Sequence, residues 1–163
     1  MLSINNYLFR KGGSRGIGFA LVKELLETNP NHKIVYCSSN LKNIEKSYEQ
    51  LALETGLDIK GSLLGKSLFA CECDITNYDQ VNGVLVPFIK EKLGRVDVWI
   101  NNAGSGDCRK KLEDMSQLEI VNIVNVNTLG TIYCTQAAIK FIKNQSGDGG
   151  HVFLMEGLGS GKL

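Results

Sequence analysis

Gly12-Gly13-Ser14-Arg15-Gly16-Ile17-Gly18 joins a short apolar run (Tyr7, Leu8, Phe9) to a segment with helical periodicity, and the chemistry of such a stretch is the holding of phosphate. Gly12 lets the chain turn sharply, Gly16 lets backbone N–H groups approach a pyrophosphate, and Gly18 lets the helix pack on the strand. The helix N-terminus then offers unpaired donors and a partial positive charge. The spacing is G-x-x-x-G-x-G, which by itself fits an ordinary strand-to-helix turn as well as a nucleotide loop. A second polar group, Asn101-Asn102-Ala103-Gly104, closes another apolar run, at the strand edge where an α/β sheet places its ligand. Asn127 is polar on an apolar helix face, a place where an Asn commonly satisfies a nearby backbone group.

The elements that must position these residues alternate regularly. Apolar runs at 7–10, 33–38 (KIVYCS), 67–74 (SLFACECD), 96–101 (VDVWIN) and 151–155 read as five strands. Helical segments are expected at 16–28, 41–55, 78–93 and 116–144, the last as one helix or two joined near Asn127. In the first, Ile17, Leu21 and Leu25 recur every four residues, with Val22 and Leu26 on the adjoining stripe. Asn29-Pro30-Asn31 is turn chemistry, Pro87 should kink or end its helix, and 58–66 reads as a loop. Strands alternating with helices imply an α/β fold, a Rossmann-like doubly wound parallel sheet with strand order 3-2-1-4-5 by right-handed crossover. Residues 1–163 are expected to form a single NAD(P)-binding domain, lacking its C-terminal part because a sixth strand would normally follow.

Composition narrows the partners. The 163 residues are 43% hydrophobic and 21% charged, with a formal net charge of +1. That balance fits one globular domain and gives no reason to expect nucleic acid or an anionic membrane surface. No apolar run approaches the ~20 residues that span a bilayer. Cys37, Cys71, Cys73, Cys108 and Cys134 are scattered and mostly within apolar runs, so they read as reduced, buried thiols. Cys71-x-Cys73 lacks a second ligand pair, and no metal site is expected.

The glycine loop and the Asn-Asn-Ala-Gly strand end together resemble the short-chain dehydrogenase/reductase family. Asp74-Ile75-Thr76 is similar to the family's Asp-hydrophobic pair at the adenine, and Val126-Asn127-Thr128-Leu129-Gly130 to the segment bearing its mid-helix catalytic Asn. The resemblance runs from residue 7 to 160. It implies cofactor contacts from Gly12, Ser14, Arg15, Gly16, Ile17, Gly18, Ser38, Ser39, Asp74, Ile75, Asn102, Ala103 and Gly104. It implies that Asn127 holds a water in a proton relay. Ser160 is the hydroxyl of the final loop available to polarise a carbonyl, although Glu156 and Gly157 stand where the family places a Ser-Ser pair. The closing Gly149–Gly161 stretch, VDVWINNAG and NTLGTIYCTQAA resemble the chlorophyll b reductase branch, which reduces a 7-formyl group to hydroxymethyl in plastids. A generic carbonyl or 3-oxoacyl reductase remains the alternative, with a cytoplasmic location, as does a non-catalytic nucleotide-binding remnant.

Ser38-Ser39-Asn40 ends strand two without a carboxylate, so nothing there repels a ribose 2′-phosphate, and Arg15 can pair with one; NADP(H) is expected over NAD. An Arg15 solvated at the surface is the plainer reading. Lys11 stands where the family has Thr, and a Lys there is expected to loosen the turn. The family's Tyr-x-x-x-Lys, whose Tyr protonates the carbonyl oxygen, would follow strand five beyond Leu163. None of Tyr7, Tyr36, Tyr48, Tyr78 and Tyr133 is expected to replace it. The long helix from Ser116 forms a subunit interface in relatives, so a homo-oligomer and a small-molecule carbonyl substrate are implied.

Overall fold

Each apolar run becomes one strand of a single parallel sheet. In the computed structural model, which describes residues 6–10, 14, 16–29, 31–106 and 110–156, the strands are β1 (Asn6–Arg10), β2 (Lys33–Ser38), β3 (Leu68–Glu72), β4 (Val98–Asn101) and β5 (His151–Leu154). They lie in the order β3-β2-β1-β4-β5, all neighbours parallel. This is the Rossmann-like α/β arrangement expected from the alternation of elements. Strand order reverses between β1 and β4, where Arg10 stands beside Asn101 in the register.

The period of two in β2 sends Ile34 and Tyr36 to one face of the sheet and Val35 and Cys37 to the other, all fully buried. On the first face they meet α1 (Gly16–Thr28) and α2 (Leu41–Thr55) through Phe19, Val22, Leu26, Ile44 and Leu51. The buried stripe of α1 is therefore the Val22/Leu26 stripe. Leu21 and Leu25 only flank it, and Ile17 is exposed at the helix start. α2 begins at Asn40, whose side chain accepts from Lys42 N at 2.8 Å, and ends at Gly56, whose φ of 69° closes the helix by donation to Ala52 O.

The second face is covered by two long helical segments, and each contains one wide turn. The first runs through α3 (Tyr78–Gln80), a π turn (Val81–Leu85) and α4 (Val86–Leu93). Pro87 neither ends nor breaks it. Its ring would collide with the carbonyl four residues back, and the wide turn just before it removes that collision. The second runs through α5 (Gln117–Val124), a π turn (Asn125–Leu129) and α6 (Gly130–Asn144). The expected junction near Asn127 is thus a widened turn inside a continuous helix.

One segment expected as loop is ordered differently: Ile59–Leu63 forms a π turn. Asp58 starts it by accepting from Gly61 N and Ser62 Oγ, both at 2.9 Å, and its carboxylate fills the space a Cβ on residue 61 would need. At the sheet's amino edge, Arg95 pairs with Asp97 at 2.6 Å and donates to the carbonyls of Ser146 and Gly149, fixing the turn that feeds β5.

Cys37, Cys71, Cys73 and Cys134 are buried, as expected; Cys108 lies outside the described residues. Burial pushes the Cys71 thiol up to about 12 and raises Cys73 as well, so both are protonated and unreactive at neutral pH. Among the described residues, no group of His, Cys, Asp and Glu could hold a metal ion, and no helix is long and apolar enough to cross a membrane.

Candidate functional site

A parallel sheet delivers the ends of all its strands to one edge, and the polar motifs gather there. The glycine turn follows β1, Ser38-Ser39 follows β2, Asp74 follows β3, and Asn102-Ala103-Gly104 follows β4. The turn after β1 and the one after β4 flank the point where strand order reverses, which is where an open α/β sheet binds its ligand.

Gly16 has φ +58°, a conformation that side chains rarely adopt, and an added Cβ there would meet nothing within 4 Å. Its glycine is required by the backbone, and the space above it is open to a ligand at the start of α1. Ser14 is buried in the turn and Gly18 is buried in the first turn of α1, whereas Ile17 projects into solvent. Gly12, Arg15 and Ser160 lie outside the described residues, as does Lys11.

Between the ends of β2 and β3 lies an open cleft of about 530 Å³ lined by Ser39, Glu72, Asp74, Gln80 and Val84. Ser38 is buried, and its carbonyl accepts from Cys73 N at 2.9 Å, so only Ser39 of that pair faces the cleft. Asp74 is held by an Asx turn: its Oδ1 accepts from Thr76 N at 3.0 Å and from Thr76 Oγ1 at 2.9 Å. Its backbone N–H donates to Gln80 Oε1 at 2.7 Å. Ile75 is fully buried in the core, so any contact it makes with a ligand comes from its main chain.

Asn127 sits inside the π turn and reaches the loop after β4. Its Oδ1 accepts from Ser105 N and its Nδ2 donates to Ser105 O, both at 2.7 Å. Asn122 Nδ2 donates to Ser105 Oγ at 3.0 Å. Asn127 is exposed and bonds across 22 residues, so it does not satisfy a local backbone group. The loop is thereby pinned to the helix at both its main chain and its side chain. Beside it, a cavity of about 190 Å³ is lined by Ser105, Gly106, Met115, Glu119, Asn122 and Ile123. Glu119 closes a capping box with Ser116 and takes Lys110 Nζ at 2.7 and 2.8 Å. The Lys110 ammonium and the Ser116 donors hold its carboxyl down at about 2.

Asn101 was read only as the first residue of the Asn-Asn-Ala-Gly strand end, and its partners were not foreseen. It is buried, accepts from Trp99 Nε1 at 3.0 Å and donates to Thr135 Oγ1 at 3.0 Å. Asn101 thus ties the end of β4 to α6, while Asn102 and Ala103 are half-buried and Gly104 exposed beside it. Ser105, Asn122, Glu72 and Gln80 were missed too. Glu72, Asn122 and Ser105 act through contacts 17 to 31 residues away, which local sequence does not mark, and Gln80 acts through the main chain of Asp74 six residues back.

Comparison with known proteins agrees with this geometry. Residues 9–155 match the family model for short chain dehydrogenase. The chain belongs to the short-chain dehydrogenase family. It is 34% identical over 150 residues to the chloroplastic chlorophyll(ide) b reductase NOL of Oryza sativa subsp. japonica, covering 91% of this chain and 40% of that one. The counterpart from Arabidopsis thaliana is also 34% identical over 150 residues, with 39% of its length covered. The chain therefore spans about two fifths of the length of these relatives. Among solved structures, the alcohol dehydrogenase of Thermococcus sibiricus complexed with 5-hydroxy-NADP superposes with a TM-score of 0.71 at 25% identity, over 92% of this chain and 57% of that one.

Within this short-chain dehydrogenase domain, Tyr7 is followed four residues on by Lys11. Tyr7 lies in the central strand β1, and Lys11 lies outside the described residues. The pair has the spacing of a Tyr-x-x-x-Lys motif, but its Tyr stands on a strand and not on a helix.

Proposed function

We propose that this chain supplies the cofactor-binding part and the Asn127-bearing helix of an NADP(H)-dependent reductase acting on the 7-formyl group of chlorophyll b in plastids. The observation that carries the reading is the pairing of two motifs at one switch point. A glycine turn with Gly16 at φ +58° and open space follows β1, and Asn102-Ala103-Gly104 follows the adjacent β4. The residues present fit a dinucleotide: an open cradle at the start of α1, a cleft at the ends of β2 and β3, and Asp74 with only Oδ1 engaged by Thr76. Similarity to a structure complexed with 5-hydroxy-NADP supports the choice of cofactor. Similarity to two chloroplastic chlorophyll(ide) b reductases supports substrate and compartment.

In this reading the N–H groups at the start of α1 hold the pyrophosphate, and Asp74 accepts from the adenine amine. NADPH, when bound, supplies the hydride. Asn127 fixes the loop of residues 102–106 through Ser105 and so sets the floor on which the carbonyl is presented. The exposed apolar residues Leu118, Val121 and Val124 of α5 and Ile132 and Ile139 of α6 form the contact with a second subunit.

The test is to incubate the protein with NADPH and chlorophyll b and to look for the hydroxymethyl product. Product that depends on NADPH supports the proposal. Saturable NADPH binding without product, but with reduction of a simple aldehyde or ketone, favours the generic reductase. Binding with no turnover of any carbonyl leaves a nucleotide-binding role.

A further inference from the structure

Glu72, the last residue of β3, lies beside Ser38 in the parallel register. Its neighbours Cys71 and Cys73 turn into the core while Glu72 stays exposed at the sheet's carboxyl edge. Its Oε1 accepts from the N–H of Leu41, the first residue of α2, at 3.2 Å. That completes the donors at this helix end. Lys42 N donates to Asn40 Oδ1, and Asn43 N and Ile44 N donate to Asn40 O at 3.1 and 3.4 Å. The N–H groups that a helix start can offer to a phosphate are already engaged, one of them by a carboxylate.

The same carboxylate lines the cleft with Ser39 and Asp74, and neither lysine nor arginine is among the described residues that line it. In a doubly wound fold the adenosine ribose lies beside the residue that follows β2, here Ser39. A ribose diol donates hydrogen bonds to a carboxylate. A 2′-phosphate carries about −1.5 to −2 charges and is repelled by one.

We infer that Glu72 is a specificity-determining residue of the dinucleotide site, reaching in from β3 to favour the free ribose diol and to weaken binding of the 2′-phosphate. The end of β2 carries no carboxylate, and the neighbouring strand provides one in its place. NADH is then a competent ligand beside NADPH. The inference rests on the dinucleotide reading proposed above.

The experiment measures dissociation constants of NADPH and NADH for the protein and for Glu72→Gln by nicotinamide fluorescence. Glutamine keeps an oxygen for Leu41 N–H and removes the charge. NADPH binding is expected to tighten about tenfold, with NADH changed by less than about threefold. An unchanged NADPH-to-NADH ratio, with both nucleotides bound, overturns the inference and leaves the dinucleotide reading standing. If neither nucleotide binds the unaltered protein, the dinucleotide reading itself fails. A competition on the unaltered protein needs no variant: 5′-AMP should displace NADH at a lower concentration than 2′,5′-ADP, and the reverse order overturns the inference.

Discussion

The two halves of the sheet are built differently. On the β1-β2-β3 side the sheet and its helices close over Val22 and Leu26 of α1, four successive residues of β2 and Leu51 of α2, with Ile17, Leu41 and Leu53 left exposed on the outer helix faces. On the β4-β5 side the edge strand leaves Phe153 at 52% exposure, and α5 buries none of its residues, with Leu118 at 77%. The first half is held by apolar packing. In the second half, the loop after β4 and the start of α5 are held by directed polar contacts, Asn127 and Asn122 to Ser105 and Lys110 and Ser116 to Glu119. A nucleotide half that closes its own core can be rigid before anything binds. The β4-β5 half leaves apolar faces exposed, and exposed apolar patches of this kind mark association sites.

Matched leucine substitutions give the largest contrast. Leu26→Ala should lower stability by about 2–5 kcal/mol, because its side chain is fully enclosed, while Leu118→Ala should stay within about 0.5 kcal/mol. Denaturant unfolding checks both, and equal losses would erase the distinction between the halves. Gly16→Val places a β-branched residue at φ +58°. It should weaken NADPH binding about a hundredfold while leaving amide exchange of residues 117–144 unchanged. The exposed faces of α5 and α6 should make the chain self-associate in sedimentation; a monodisperse monomer would show that they need no cover.

Asn127→Ala removes both hydrogen bonds to Ser105 and should cost about 1–2 kcal/mol. Faster amide exchange across 102–106, with 5′-AMP affinity unchanged, is the expected signature. The smallest effect belongs to Glu119. Its folded-state pKa of about 2 lies below the ordinary carboxylate value of 4.5. The stabilisation it gives to the start of α5 is therefore full above pH about 4.5 and lost as pH falls toward 2. Amide exchange of α5 in Glu119→Gln should exceed that of the unaltered protein at neutral pH and converge with it as pH falls through that window.

The same contrast separates what was legible in the sequence. Gly16–Thr28 and Lys33–Ser38 take the bounds expected of them, because their ends are set locally by glycine, proline and asparagine turn chemistry. Strand order followed from alternation and handedness alone. Which of the two adjoining stripes of α1 is buried was not legible, because Ile17, Leu21 and Leu25 form as regular a period as Val22 and Leu26, and only packing against β2 distinguishes them. Pro87 was expected to disrupt, but a π turn absorbs its ring. The contacts of Glu72, Asn101, Asn122 and Ser105 were invisible for a physical reason: each finds its partner across 17 to 34 residues. The cofactor side announces itself through backbone requirements written as glycines. The side after β4 depends on side-chain pairs that no short motif records.

The most direct test uses Trp99, the single tryptophan, in β4 two residues before the strand end at Asn101. Reduced nicotinamide absorbs where tryptophan emits, so a dinucleotide held across the β1/β4 switch point should quench Trp99 and gain sensitised emission. Titration with NADPH and with NADH should give saturable energy transfer that Gly16→Val abolishes. Saturable transfer that survives Gly16→Val, or none with either nucleotide, would contradict the placement of the dinucleotide at this edge.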